Sequence, residues 1–535
     1  MWRSGWREAV WSRLGRRWDV LVIGGGITGA GILREAARLG LAALLVEQRD
    51  FAWGTSSRSS KLVHGGLRYL REGKLRLTRA SVAERERLVA EGPGLVERLG
   101  FLLASYEGAH PGSLTYRAGL SLYDLLAVRW SHQHYDAEDF RMLAPHIELR
   151  GLKGGFRFGD AQTDDARLVL RVLAEAVAAG AVALNYAAAE GLIREAGAVS
   201  GVRLVDRVQP RSTEVRATVV VNATGAWADR LRREVGAPPR IRPLRGSHLT
   251  FPAWRFPLAQ AMTVAHPQDQ RPVFFIPWEG VTLIGTTDVD HRGPLDEEPA
   301  VTAEEVRYLF AAIEAEFPSL GVTPRDVLAS FSGVRPVINT GKADPSRESR
   351  DHAVWDDQGL LTVTGGKLTT FRLMALDALR AARKRLPALE GLRSRARALD
   401  PVDGSLPAAA DALDDDMRRR LVGRCGAAAA RLVAEARAPE LTSIPGTRAL
   451  WAELRWAARA EAVVHLDDLL LRRVRLGLLL PDGARDLLPE IRTICQDELG
   501  WDDASWEREA DAYLRLWRTC YSVPAVLGDP RAEGG

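Results

Sequence analysis

The stretch Asp19-Val-Leu-Val-Ile-Gly-Gly-Gly-Ile-Thr-Gly-Ala-Gly31 begins with four uninterrupted apolar residues, Val20 to Ile23, and then turns on glycine. An aliphatic, partly β-branched run without charge predicts a short strand buried on both faces. Gly24, Gly26 and Gly29 follow in the spacing G-x-G-x-x-G. The first glycine allows a tight turn and the second lets backbone approach a pyrophosphate. The third lets the next helix pack closely on the sheet. Alone, such a match is weak, because turns are rich in glycine.

Its surroundings strengthen it. Ala30, Leu33, Ala36 and Ala37 share one face of a short helix that Gly40 stops. Ala42 to Val46 reads as a second strand, and it ends in Glu47. A carboxylate there can accept hydrogen bonds from both ribose hydroxyls of an adenosine, and it repels a 2′-phosphate. The unit therefore predicts a β-α-β dinucleotide fold, with FAD and NAD both open. Further on, 217–222 is another buried strand leading to a glycine turn at Gly225. That return suits a FAD-binding domain better than a minimal NAD domain, which would continue at once with alternating strands and helices.

Composition bounds the rest. A chain of 535 residues with 46% hydrophobic content has room for two or three domains. The formal charge of +4, from 73 basic and 69 acidic residues, argues against a nucleic-acid partner. Cys425, Cys495 and Cys520 are too far apart for a zinc or iron–sulfur motif and supply no disulfide framework. No metal is expected, and a reducing compartment is. No apolar run approaches the roughly 18 residues of a membrane span. The first 18 residues carry four tryptophans and five arginines, with Trp2, Trp6, Val10, Leu14 and Trp18 recurring every four positions. They offer either an interfacial anchor or a loosely packed extension.

Along the chain, 164–180 is an amphipathic helix with a glycine stop, and 241–340 is rich in strand-like runs that predict an antiparallel sheet facing a pocket. Leu360-Leu-Thr-Val-Thr-Gly-Gly-Lys-Leu-Thr-Thr-Phe-Arg372 again reads strand, glycine turn, helix start. Such a unit can point amides at a flavin or a pyrophosphate. Residues 411–522 read almost wholly as helix. The predicted organisation is an α/β FAD-binding Rossmann-like domain (19–90, 155–240 and 355–385). Into it is inserted an antiparallel-sheet substrate domain (91–154 and 241–354). A linker (386–410), an all-helical C-terminal domain (411–522) and a tail (523–535) complete the chain.

The stretches VIGGGITGAG, TSSRSSKLVHGGLRYL, ATGAWAD, SGVRP and GGKLTTFR closely resemble FAD-dependent glycerol-3-phosphate dehydrogenases of the aerobic, respiratory type. The resemblance runs in order from about residue 19 to 375, and the helical tail resembles that family's C-terminal domain. It implies oxidation of sn-glycerol 3-phosphate to dihydroxyacetone phosphate, with electrons passing from FAD to membrane quinone. It implies a non-covalent FAD and a cytoplasmic protein peripherally associated with the inner face of the cell membrane, and it leaves a homodimer open. The tail lacks both the cysteine cluster of the anaerobic form and the calcium-binding loops of the mitochondrial relative. The alternative is a FAD-dependent oxidase or dehydrogenase of an amino acid or another hydroxy compound, since one β-α-β unit serves many chemistries.

The resemblance also assigns roles. Arg68, Tyr69, Arg335, Arg350 and Lys367 are expected to bind substrate, because a phosphomonoester dianion matches arginine's forked donors. His248 is expected to take the hydroxyl proton, with His64 as the rival beside the flavin. Lys367 holds either the phosphate or developing negative charge near the flavin, and Arg335 counts with the catalytic set. Thr55, Ser56 and Ser60, with Gly225, Gly366, Leu368 and Thr369, are expected along FAD beside the glycines and Glu47. Membrane contact is expected from the first 18 residues and from arginines of the tail such as Arg472, Arg473 and Arg475.

Overall fold

Val20 to Ile23 pair on both sides, in parallel with Ala43–Val46 and with the C-terminal half of Ser212–Asn222, which is why the run carries no polar face. The computed structural model describes residues 2–66, 75–108, 119–124, 132–342, 348, 351–392 and 396–524. Among them the first sheet runs His352–Asp357, Leu360–Gly365, Ser212–Asn222, Trp18–Ile23, Ala43–Val46, Val182–Leu184. All neighbours are parallel except the first pair. A hairpin, Ala187–Glu195 and Ala198–Asp206, extends the N-terminal half of Ser212–Asn222. The helix Ile27–Arg38 packs on Asp165–Ala178 and on Phe371–Ala381. A Cβ at Gly31 would stand 2.9 Å from the Phe371 ring, so that glycine permits the close helix crossing.

The second sheet is mainly antiparallel. It runs Val289–Asp290, Ile241–Pro252, Val281–Gly285, Pro272–Trp278, Ala261–Ala265, Val96–Tyr106, Leu152–Thr163, Gln133–Tyr135, with Ala329–Ile338 also paired to Ile241–Pro252. Leu152–Thr163 pairs with Val96–Tyr106 along its whole length. The return to the first sheet therefore comes near residue 164, not at 155 as the sequence predicts. The glycines at 154, 155 and 159 hid this strand from a hydrophobic count.

Helices of the C-terminal part, including Trp451–Ala460, Leu488–Leu499 and Asp503–Cys520, share one apolar core with the second sheet. Leu454, Leu470, Trp506 and Trp517 meet Phe101, Phe158, Trp278 and Phe331 there.

Two expectations fail here. The N-terminal segment is not a loose extension, although Arg13, Arg16 and Arg17 within it stay exposed. Trp2, Leu14 and Trp18 are buried. The Trp2 indole donates to Ala183 O at 3.0 Å and packs on Phe51. Arg7 donates to the Asn185 and Tyr186 carbonyls and pairs with Asp206. Likewise Arg472, Arg473 and Arg475 are each about 1% exposed, so none can meet a headgroup. Among the described residues, no helix is long and apolar enough to cross a membrane.

Candidate active site

A cleft of about 890 Å³ lies between the two sheets and is lined from the glycine turn at one end to residues of the second sheet. The turn is built for a group pressed against backbone. Gly24 has φ +115°, and a Cβ there would lie 2.5 Å from Ala223 O. A Cβ at Gly29 would lie 1.9 Å from Gly24 O, so the helix sits directly on the turn. Gly26 caps the twelve-residue helix Ile27–Arg38, whose first turn holds no acidic side chain. Its amides and partial positive charge favour a pyrophosphate. Ser56 Oγ already accepts from Ile27 N at 3.0 Å. Glu47 stands at the end of its strand, accepting from Gly25 N at 2.7 Å and Arg49 N at 2.9 Å. Burial is the main influence on its carboxyl and raises its pKa despite those bonds. Thr55 lines the same wall and donates to Val334 O at 2.5 Å.

The second strand–glycine–helix unit faces this wall. Gly225, Gly365 and Gly366 adopt positive φ, and all three line the cleft. Lys367, Leu368 and Thr369 follow at the start of a short 3-10 turn. Lys367 Nζ donates to Ser81 Oγ at 3.2 Å. Thr369 Oγ1 donates to the carbonyl of His64, itself a cleft residue.

Arg335 enters from the second sheet. It forms an ion pair with Asp288 at 3.0 Å and donates to Thr286 Oγ1 at 2.9 Å. A Cβ at Gly246 would stand 2.2 Å from its guanidinium, so glycine on the neighbouring strand makes its room. Asp288 and Thr286, in the stretch Gly285-Thr-Thr-Asp288, were missed from sequence because they read only as a strand end. Arg58 was missed too. It lines the cleft while paired with Glu298.

His248 is placed differently from its expected role. It is 1% exposed, lies outside the cleft lining, and stacks on Phe331 at 4.7 Å. It reaches the cleft through Ser60, whose Oγ lies 2.8 Å from His248 Nε2. Burial first, then Arg335 and Lys61, hold its pKa well below the usual histidine value, so the ring is neutral. The sequence supplied the residue but could not show that a serine stands in front of it. Arg68, Tyr69 and Arg350 lie outside the described residues.

A glycine cradle under a helix end, a carboxylate on the next strand and a second amide-rich turn across one cleft fit FAD, and they define a flavin-dependent oxidoreductase. Residues 19–372 match the family model described as FAD dependent oxidoreductase. Residues 390–506 match the C-terminal domain of alpha-glycerophosphate oxidase. The chain is 40% identical over 377 residues to the aerobic glycerol-3-phosphate dehydrogenase of Bacillus subtilis, spanning 69% of this chain and 68% of that one. To the Staphylococcus aureus (strain USA300) protein of the same name it is 34% identical over 481 residues, 85% and 86% of the two chains. The crystal structure of the glycerol-3-phosphate dehydrogenase from Bacillus halodurans complexed with FAD superposes with a TM-score of 0.78 at 29% identity, covering 96% of this chain and 98% of that one. The chain belongs to the aerobic glycerol-3-phosphate dehydrogenase family, and its cofactor is FAD.

Proposed function

We propose that this cleft oxidises sn-glycerol 3-phosphate to dihydroxyacetone phosphate and that the electrons leave for membrane quinone. The observation that carries the reading is that Arg335 and Lys367 line the same cleft as the Gly24–Gly26 cradle. Bound FAD supplies the hydride acceptor. Arg335, presented by Asp288 and Thr286, takes the phosphate dianion through forked, charge-assisted bonds. Arg68, Tyr69 and Arg350 are proposed to complete that set. Lys367 places a positive charge in the cleft where the hydroxyl oxygen gains negative charge. The hydroxyl proton passes to Ser60 Oγ as Ser60 gives its own proton to His248 Nε2. His248 starts neutral, as an acceptor must. A phosphate on Arg335 also offsets one of the charges that hold His248 down, so substrate itself strengthens the base.

The family names of the relatives support the substrate. Quinone, the cytoplasmic face of the membrane and an anionic lipid surface belong to the proposal. Their contact must use a surface other than the buried Arg472, Arg473 and Arg475. Anaerobic mixing with glycerol 3-phosphate should bleach the flavin absorbance within the turnover time. Bleaching by an amino acid, with none by glycerol 3-phosphate, would reverse the assignment.

A further inference from the structure

The cleft wall from Glu47 to Lys61 is held from behind by one short piece of the helical domain. Residues Asp468–Arg473 form a π-helical turn, and Arg475 follows with φ +67°, a left-handed backbone that non-glycine residues seldom adopt. Strain of this kind persists where the surroundings fix it, and π-turns often sit at functional places. Arg472 and Arg473 converge on Asp50, three residues after Glu47. Arg473 binds it through two nitrogens at 2.6 and 2.7 Å, and Arg472 Nε at 2.5 Å. Arg475 goes to the other end of the wall. It donates to Ser57 O at 3.3 Å and pairs with Asp164 and Asp165. Asp165 in turn accepts from Ser59 N at 2.9 Å, Ser59 Oγ at 2.7 Å and Lys61 Nζ at 2.9 Å. Ser59 and Ser60 line the cleft, and Ser60 carries the contact to His248.

We infer that Arg472–Arg475 is a two-point clamp on the cofactor wall: Arg472 and Arg473 position its adenosine end, and Arg475 positions its reactive end through Asp165 and Ser59. The inference rests on the FAD and substrate reading above. Three guanidinium groups buried to this degree are costly unless each is fully paired, so ion pairing of this kind is weak grounds for stability alone. The two clamps act on different stretches of one wall, 47–50 and 57–61. They are positioning residues with separable effects.

The test uses full-length holoenzyme bearing Arg473→Lys, Arg475→Lys or Arg475→Met. Arg473→Lys should weaken FAD binding, read by fluorescence titration of the apoprotein, about tenfold or more. Its FAD-loaded form should be reduced by glycerol 3-phosphate within about twofold of wild type. The Arg475 variants should bind FAD within about twofold of wild type. At saturating substrate, however, they should be reduced about tenfold or more slowly, with a displaced pH profile. If Arg475→Met does not fold, Arg475→Lys carries the same expectation. Equal effects of both clamps on FAD affinity, or losses that simply follow thermal stability, would overturn the inference. Wild type that glycerol 3-phosphate does not reduce would sink the substrate reading instead. The FAD titrations need no substrate and would still decide the clamp.

Discussion

Arg335 shows what a single side chain contributes and how narrowly its place is set. Replacing it with alanine removes a charge-assisted bond to phosphate of about 2–5 kcal/mol. It also removes one cation that pairs with Asp288. Steady-state kinetics should show the Michaelis constant for glycerol 3-phosphate rising at least about 30-fold, with glycerol a poor substrate for both proteins. A wild type that oxidises glycerol as well as its phosphate would refute the cationic pocket. Gly246→Ala makes a subtler demand. Its Cβ would fall 2.2 Å from the Arg335 guanidinium, so the Michaelis constant should rise while FAD stays bound at the distant cradle. Unchanged kinetics would mean that Arg335 has slack the structure does not show. Arg335 and Lys367 were legible as residues because short motifs surround them. Asp288, Thr286 and Ser60's position before His248 were not, because those contacts join strands far apart in sequence.

Among the elements, the β-α-β unit was readable because its signals are local: an apolar run, a glycine turn, a short amphipathic helix, a terminal acid. The stretch Arg472-Arg-Val-Arg475 was misread for the opposite reason. Its partners Asp50, Asp164 and Asp165 lie more than three hundred positions upstream, and no pattern in the tail announces them. Burial by itself would raise the Asp50 carboxyl, but Arg473 and Arg472 outweigh it and hold the pKa at about 2. A carboxyl depressed on folding stabilises the protein above its unfolded pKa, and that contribution fades as pH falls toward its folded value. Thermal melts should therefore show stability dropping between about pH 4 and pH 2. Asp50→Asn should be destabilised already at neutral pH, since buried Arg473 loses its counter-charge and Arg472 is left to Asp467 and Asp468. A neutral-pH melting temperature equal to wild type would contradict the buried pairing.

For the whole molecule, the N-terminal segment and the stretch Arg472–Arg475 are both tied into the cofactor domain. Trp2→Ala empties a packed site beside Phe51 and breaks the bond to Ala183 O. A cost of about 3–5 kcal/mol is expected by analogy with other buried tryptophans, visible as a lower melting temperature. Binding of the folded variant to anionic vesicles should match wild type. Loss of vesicle binding without loss of stability would give the N-terminus a membrane role. Acid precipitation should release all yellow chromophore, since none of Cys425, Cys495 and Cys520 lines the cleft and the resemblance makes no histidine, His64 included, an attachment point. Flavin kept on the pellet would show a covalent link.

The clamp also imposes an order in time. A ribosome has made the glycine cradle after some thirty residues, yet the wall beside it stays unclamped until Arg472–Arg475 leave the exit tunnel. Trp2 waits as well, because its backbone bridge is to Glu461. Although domains usually fold from the N-terminus as they emerge, loading of this flavoprotein becomes a late event that waits for the helical domain. Nascent chains stalled before residue 461 should capture FAD poorly, however long they are given.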